Sequence, residues 1–150
     1  MTRADRNVWQ NFVWNKLTTL VMFDFYDPEL MCFAHKNNVR VVSMGKLLTK
    51  PIPLWHPFLS LSGAVPKNIL LNDQKVDQWI DVQLRYVKER FLDGINIDIE
   101  YEIPKDSPLV DGLSKFMFKL RDRFHSALPQ SQVTFDVPWS PYNSKGQSFF

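Results

Sequence analysis

Apolar and polar positions along the chain follow two rhythms, and the switches between them predict its elements. From Asp93 to Glu100 the residues run Asp-Gly-Ile-Asn-Ile-Asp-Ile-Glu, with Ile95, Ile97 and Ile99 alternating with Asn96, Asp98 and Glu100. A period of two is that of a β-strand with one apolar and one polar face. On both sides the rhythm changes to that of a helix. Upstream, Val76, Trp79, Ile80, Leu84, Val87 and Phe91 form a helical stripe behind a cap at Asn72 or Asp73. Downstream, Ser107-Pro108 supplies a cap and a first-turn proline for a stripe of Leu109, Leu113, Phe116, Leu120 and Phe124, and Pro129 lies beyond its end.

The first part of the chain repeats this alternation. Leu17 to Phe25 is apolar and β-rich, and reads as a buried strand. Asp27-Pro28-Glu29 then combines an N-cap, a proline at the first helical position and an acid in the first turn. The helix that follows carries Leu30, Met31, Phe33 and Ala34 and stops at Asn37-Asn38, after which Val39 to Met44 forms a strand closed by Gly45. Val133 to Trp139 is the last strand. The order βα-βα-βα-β predicts an α/β fold with a parallel sheet joined by right-handed crossovers.

Within this frame the polar face of the Asp93–Glu100 strand is unusual. Acidic residues are depleted in strands, and like charges on one face repel. One reading is an edge strand with a solvated acidic face. The other is a site, and the amphipathic helices on either side favour it, because they place the strand inside a covered sheet. Carboxylates aimed to one side of a buried strand suit sugar hydrolysis, in which one carboxyl donates a proton while its neighbours hold the substrate and tune its pKa.

Composition narrows the options. With 150 residues, 45% hydrophobic and 14% aromatic, the chain can build one globular core. A net charge of +2, with Lys and Arg scattered, argues against nucleic acid as a partner. A single cysteine, Cys32, excludes an internal disulfide, and its place in a helical pattern predicts a small buried apolar side chain. The first residues lack the apolar segment of a secretory signal peptide, no stretch is apolar enough to span a bilayer, and no Asn-x-Ser/Thr sequon occurs. His56, alone among prolines and aromatics, reads as a packed loop residue, and neither a metal nor a cofactor is expected.

Asp93-x-x-Asn96-x-Asp98-x-Glu100 resembles the Asp-x-x-Asp-x-Asp-x-Glu signature of glycoside hydrolase family 18, the chitinase family. Asn at the second acidic position is similar to the lysosomal chitobiase branch of that family. Similarity to the branch extends to Glu29–Cys32, Asn38–Val42 and Ser131–Pro141, and covers most of residues 8 to 45 and 63 to 143. The resemblance implies a (β/α)8 barrel with its site at the C-terminal strand ends, an architecture that typically takes about 250 residues. The chain would supply a partial TIM barrel, the second to the fifth strands, so that residues 1–150 form a partial catalytic domain with two open sheet edges and an uncovered interior. Residues 46–62, rich in proline and without periodicity, read as an insertion, and 144–150 as a divergent tail.

The same resemblance implies roles. Glu100 would protonate the glycosidic oxygen, and the substrate's own N-acetyl oxygen would be the nucleophile, the exception to the two-carboxylate scheme. Asp98 would orient the acetamido group. Asn96 would remove one charge from a crowded interior while keeping hydrogen-bonding capacity toward Asp98. For Asp93, at the start of the strand, a structural hydrogen-bonding post and a catalytic role are both open. Asp136 and Trp139 would line the sugar site, with core packing the alternative for Trp139. The expected partner is an N-acetylglucosamine-containing oligosaccharide, the expected activity retaining hydrolysis of β-1,4 links in chitobiose cores or chitin oligosaccharides, and the expected compartment lysosomal, with no membrane involved. The family's catalytic Tyr after strand six and sugar-site Trp from strand eight have no counterpart, so an inactive truncated form or a carbohydrate-binding member of the family is the alternative.

Overall fold

The computed structural model describes residues 5–23, 25–45, 65, 67–99, 102–137, 140, 142 and 146. Glu100, Trp139, His56 and the segment 46–62 lie outside them, as does all of 144–150 except Gly146.

Four strands and the helices between them carry the fold. β1 is Thr19–Met22, α2 Pro28–Lys36, β2 Arg40–Met44, α3 Lys67–Leu70, α4 Asp73–Glu89, β3 Gly94–Asp98, α5 Pro108–Ala127 and β4 Gln132–Asp136. A short helix α1, Arg6–Trp9, and a 3-10 turn, Trp14–Lys16, precede β1. The helix starts follow the cap chemistry of the sequence. Asp27 Oδ1 accepts from the backbone N–H groups of Glu29 and Leu30, Asn72 Oδ1 from Lys75, and Ser107 Oγ from Leu109.

The sheet is parallel throughout, in the order β1-β2-β3-β4. Sequence order equal to spatial order, with right-handed crossovers, puts every crossover helix on the same face. A doubly wound sheet would reverse direction at a switch point. One face covered and the other turned inward is the arrangement of a barrel arc. Its curl is visible in one bond. Thr19 on β1 donates through Oγ1 to Gln132 Oε1 on β4 at 2.9 Å. In a flat sheet those strands would stand about 14 Å apart, three strand spacings of about 4.8 Å.

Register separates the two faces. Val42 and Met44 align with Gly94 and Asn96 of the inward set Gly94, Asn96 and Asp98, which in turn aligns with Gln132, Thr134 and Asp136. The opposite set, Val41, Ile95 and Ile97, is fully buried under the helices. There α4 and α5 meet through Trp79 and Phe116, whose rings cross edge to face with centroids 5.4 Å apart. Lys119 reaches Asp77 at 2.9 Å and Arg123 pairs with Asp77 and Asp81, which fixes the outer seam of the same two helices. Gly94 is required where it stands. Its φ is +153°, and a Cβ there would lie 1.9 Å from the carbonyl oxygen of Gln132.

Three expectations need correction. Cys32 is exposed, because the buried stripe of α2 runs through Leu30, Met31 and Ala34 and leaves position 32 on the outer side. Phe91 does not continue the α4 stripe. The helix closes in a Schellman motif, with Phe91 N–H donating to Lys88 O and Leu92 N–H to Val87 O. Phe91 takes the left-handed position, φ 55°, and is 76% exposed, while Leu92 occupies the buried place. The third correction is α1 with the 3-10 turn, which the periodicity did not signal. Both are too short to show a period, yet Trp9 and Trp14 pack against Phe33 at 5.1 and 5.2 Å and cover α2.

Candidate active site at the ends of β3 and β4

The inward face of β3 and β4 brings four polar side chains together: Asn96, Asp98, Thr134 and Asp136. Alternation sets which residues point inward, and the parallel register Asn96↔Thr134 and Asp98↔Asp136 sets which ones are neighbours. Asn96 is almost fully buried, at 2% exposure. It donates through Nδ2 to Asp136 Oδ2 at 2.7 Å, and its Oδ1 accepts from the Thr134 hydroxyl. Among the described residues both of its side-chain bonds therefore run across to β4, not along β3 to Asp98 as the sequence suggested. Thr134 is the register partner of Asn96, nearer across the ladder than Asp98 is along the strand, and Asp136 is its diagonal neighbour two positions further on β4.

Asp98 sits at the C-terminal end of β3, beside its register partner Asp136. Burial pushes its carboxyl above the ordinary carboxylate range, and the like charge of Asp136 pushes it further the same way. The pair sits at the mouth of the strand arc. Ile99, fully buried, continues the alternation one residue further.

Asp93 lies at the other end of β3, before Gly94, about five strand rises from Asp98. Its Oδ2 accepts from Val41 N–H at 2.6 Å and meets His35 Nε2 at 2.7 Å, while its backbone N–H donates to Val41 O and its carbonyl accepts from Gln132 N–H. It fastens the C-terminal end of α2 to the N-terminal ends of β2, β3 and β4. Of the residues singled out from sequence, the structure brings together Asn96, Asp98 and Asp136, and places Asp93 apart from them. Glu100 and Trp139 are outside the described residues. Thr134 was missed, although its spacing of two from Asp136 put it on the same face. What the sequence lacked was the register that seats it beside Asn96. No cluster of three metal-ligating side chains occurs among the described residues, and no helix among them is long and apolar enough to cross a membrane.

The arrangement matches known proteins on both sequence and fold. Over 138 residues, 92% of the chain, it is 36% identical to human di-N-acetylchitobiase, and over 136 residues 35% identical to the rat protein. The chain is similar to the di-N-acetylchitobiases. It spans about a third of the human and rat chitobiases, 31% and 32% of their lengths, and 61% of a bovine di-N-acetylchitobiase to which it is 34% identical. Among solved structures, the GH18 chitinase ChiB from the chitin utilization locus of Flavobacterium johnsoniae matches with a TM-score of 0.55 and 16% identity, over 89% of this chain and 44% of that one. At that identity the likeness is one of fold, and it assigns the four-stranded arc to a TIM barrel. No family model matches the chain.

Proposed function

We propose that the protein is a glycoside hydrolase that cleaves β-1,4-linked N-acetylglucosamine in chitobiose cores or chitin oligosaccharides. The observation that carries this reading is the Asp98–Asp136 pair, two carboxylates side by side at the C-terminal ends of parallel barrel strands, with Asp98 inclined to keep a proton. In TIM barrels that end of the strands is where chemistry is done. The similarity to chitobiases supports the substrate class.

In this scheme Glu100, two residues beyond Asp98 in the sequence, protonates the glycosidic oxygen. The acetamido oxygen of the sugar attacks the anomeric carbon, so no second carboxylate is needed as nucleophile. Asp98 orients the acetamido group. Asp136 and Trp139 line the sugar site. We read residues 1–150 as part of such a catalytic domain, with 46–62 an insertion, 144–150 a divergent tail, and the lysosome as the compartment that the resemblance suggests. The test is a pair of substrates. N,N′-diacetylchitobiose should release N-acetylglucosamine, whereas cellobiose, which carries a hydroxyl in place of the acetamido group, should release no glucose. Equal hydrolysis of both would overturn the acetamido mechanism.

A further inference from the structure

The position where the family signature has its second carboxylate is Asn96 in this chain, and the partner of Asn96 lies on the next strand. We propose that Asp136 supplies from β4 the carboxylate that position 96 lacks, as a positioning residue bound by Asn96 and set in register beside Asp98. This deepens the reading above and, for its catalytic consequence, rests on it.

Hydrogen bonds link Thr134, Asn96 and Asp136 in a chain. Thr134 donates its hydroxyl proton to Asn96 Oδ1, and Asn96 turns its amide N–H to Asp136 Oδ2 at 2.7 Å, the short end of the range for a bond to a charged acceptor. In that orientation Asp136 Oδ2 must be an acceptor, which is what an ionised carboxylate offers. The reversed amide would set Asn96 Oδ1 against Asp136 and require Asp136 to carry a proton. Asn96 is buried, so water does not compete for these bonds. Two carboxylates in register on adjacent strands resist ionising together. The amide N–H donates to Asp136, and Asp98 is the member of the pair whose carboxyl is raised. Burial and the Asp136 charge act on Asp98 in this same direction. Of the other described inward positions, Thr19, Val21, Val42 and Met44 carry no charge, and Arg40 stands at the N-terminal end of β2, in register with Thr19 and away from the pair. Asp136 thus does through space, from β4, what a carboxylate at position 96 would do along β3.

The test is a reciprocal exchange. Carboxyl carbon NMR of the purified protein follows the Asp98 titration without needing turnover, and hydrolysis of N,N′-diacetylchitobiose is measured beside it. In Asp136→Asn, Asp98 should titrate at lower pH than in the parent, and hydrolysis should fall by about tenfold or more if the proposed function holds. The exchange N96D/D136N returns a carboxylate to β3 and an amide to β4, and should move the Asp98 titration back up and recover most of the lost hydrolysis. Thr134→Val keeps every charge but removes the donor to Asn96; it should lower the Asp98 titration by less than Asp136→Asn does. An Asp98 titration unmoved in Asp136→Asn, or no recovery in the double variant while its amide spectrum stays folded, would overturn the inference. Titrations that shift as described in a protein without hydrolysis would leave the carboxylate pair standing and overturn the proposed function alone. If Asp136→Asn fails to fold, the comparison of the parent with Thr134→Val and the double variant decides.

Discussion

Replacing Asp93 separates anchoring from catalysis, because its contacts predict a loss of stability and no loss of chemistry. Its carboxylate accepts from the backbone N–H of Val41, a fully buried residue, and meets His35 on α2. Asp93→Ala leaves the Val41 N–H without its acceptor, which costs about 1–3 kcal/mol for a buried donor. The His35 contact is partly exposed, with side-chain exposures of 38% and 31%, and adds at most about 1 kcal/mol. A total near 2–3 kcal/mol follows. With a urea slope of about 2 kcal/mol per molar, the unfolding midpoint should drop by about 1–1.5 M. Asp93→Asn keeps an acceptor for Val41 and loses only the charge, so its midpoint should fall by less than about 0.5 M. Both are read by urea titration followed by circular dichroism, with hydrolysis assayed on the folded variants. Equal midpoints for Asp93→Ala and the parent would refute the anchoring argument. So would an Asp93→Asn variant of parental stability that has lost hydrolysis, since that would return Asp93 to the catalytic set.

Other perturbations follow from the same structure. Asp98 has its carboxyl raised by burial and by Asp136, so its protonated form stabilises the fold; that contribution is complete below the ordinary carboxylate value of 3.8 and is lost as pH rises through the raised value. Asp98→Asn should therefore be more stable than the parent at pH 7, with the gap closing as pH falls toward 3.8, measured as thermal midpoints across pH. Phe91→Gly should stabilise by about 0.5–1 kcal/mol, because an exposed phenylalanine at positive φ gives way to the residue that accepts it freely; a lower urea midpoint would contradict this. Phe116→Ala empties a site with 1% exposure between α5 and Trp79, and should cost about 3–5 kcal/mol by the same titration.

Much of the scaffold was legible in the sequence because its signals were local. Asp27-Pro28, Asn72 and Ser107-Pro108 each open the helix that their cap chemistry indicates, and the Ile95–Ile97–Ile99 alternation marks the most deeply buried strand. The parallel order came from the alternation of elements, and the curl of the sheet from the family resemblance. Strand ends were less legible: among the described residues of the apolar run from Leu17 to Phe25, Thr19–Met22 join the sheet, paired with Arg40–Ser43. The site was legible as a list and not as a network. Asn96, Asp98 and Asp136 share a face by alternation, but their wiring depends on the β3–β4 register, which joins residues about forty positions apart. Periodicity within one strand carries no record of that register, so Thr134 went unseen and Asn96 was matched to Asp98. Phe91 misled for the opposite reason: it keeps the helical spacing, but the helix ends before reaching it.

The central proposal is that this arc of strands carries the chemistry of an acetamido-sugar hydrolase, with Glu100 as its acid and Asp98 orienting the acetamido group. The most direct measurement is release of N-acetylglucosamine from N,N′-diacetylchitobiose and chitotriose by the purified protein, compared with Glu100→Gln and Asp98→Asn, each checked by circular dichroism. The account predicts turnover by the parent, a fall of at least about a hundredfold in Glu100→Gln, and a comparable loss in Asp98→Asn with the fold intact. A Glu100→Gln variant that hydrolyses as fast as the parent, or a folded parent that releases no sugar, would contradict it.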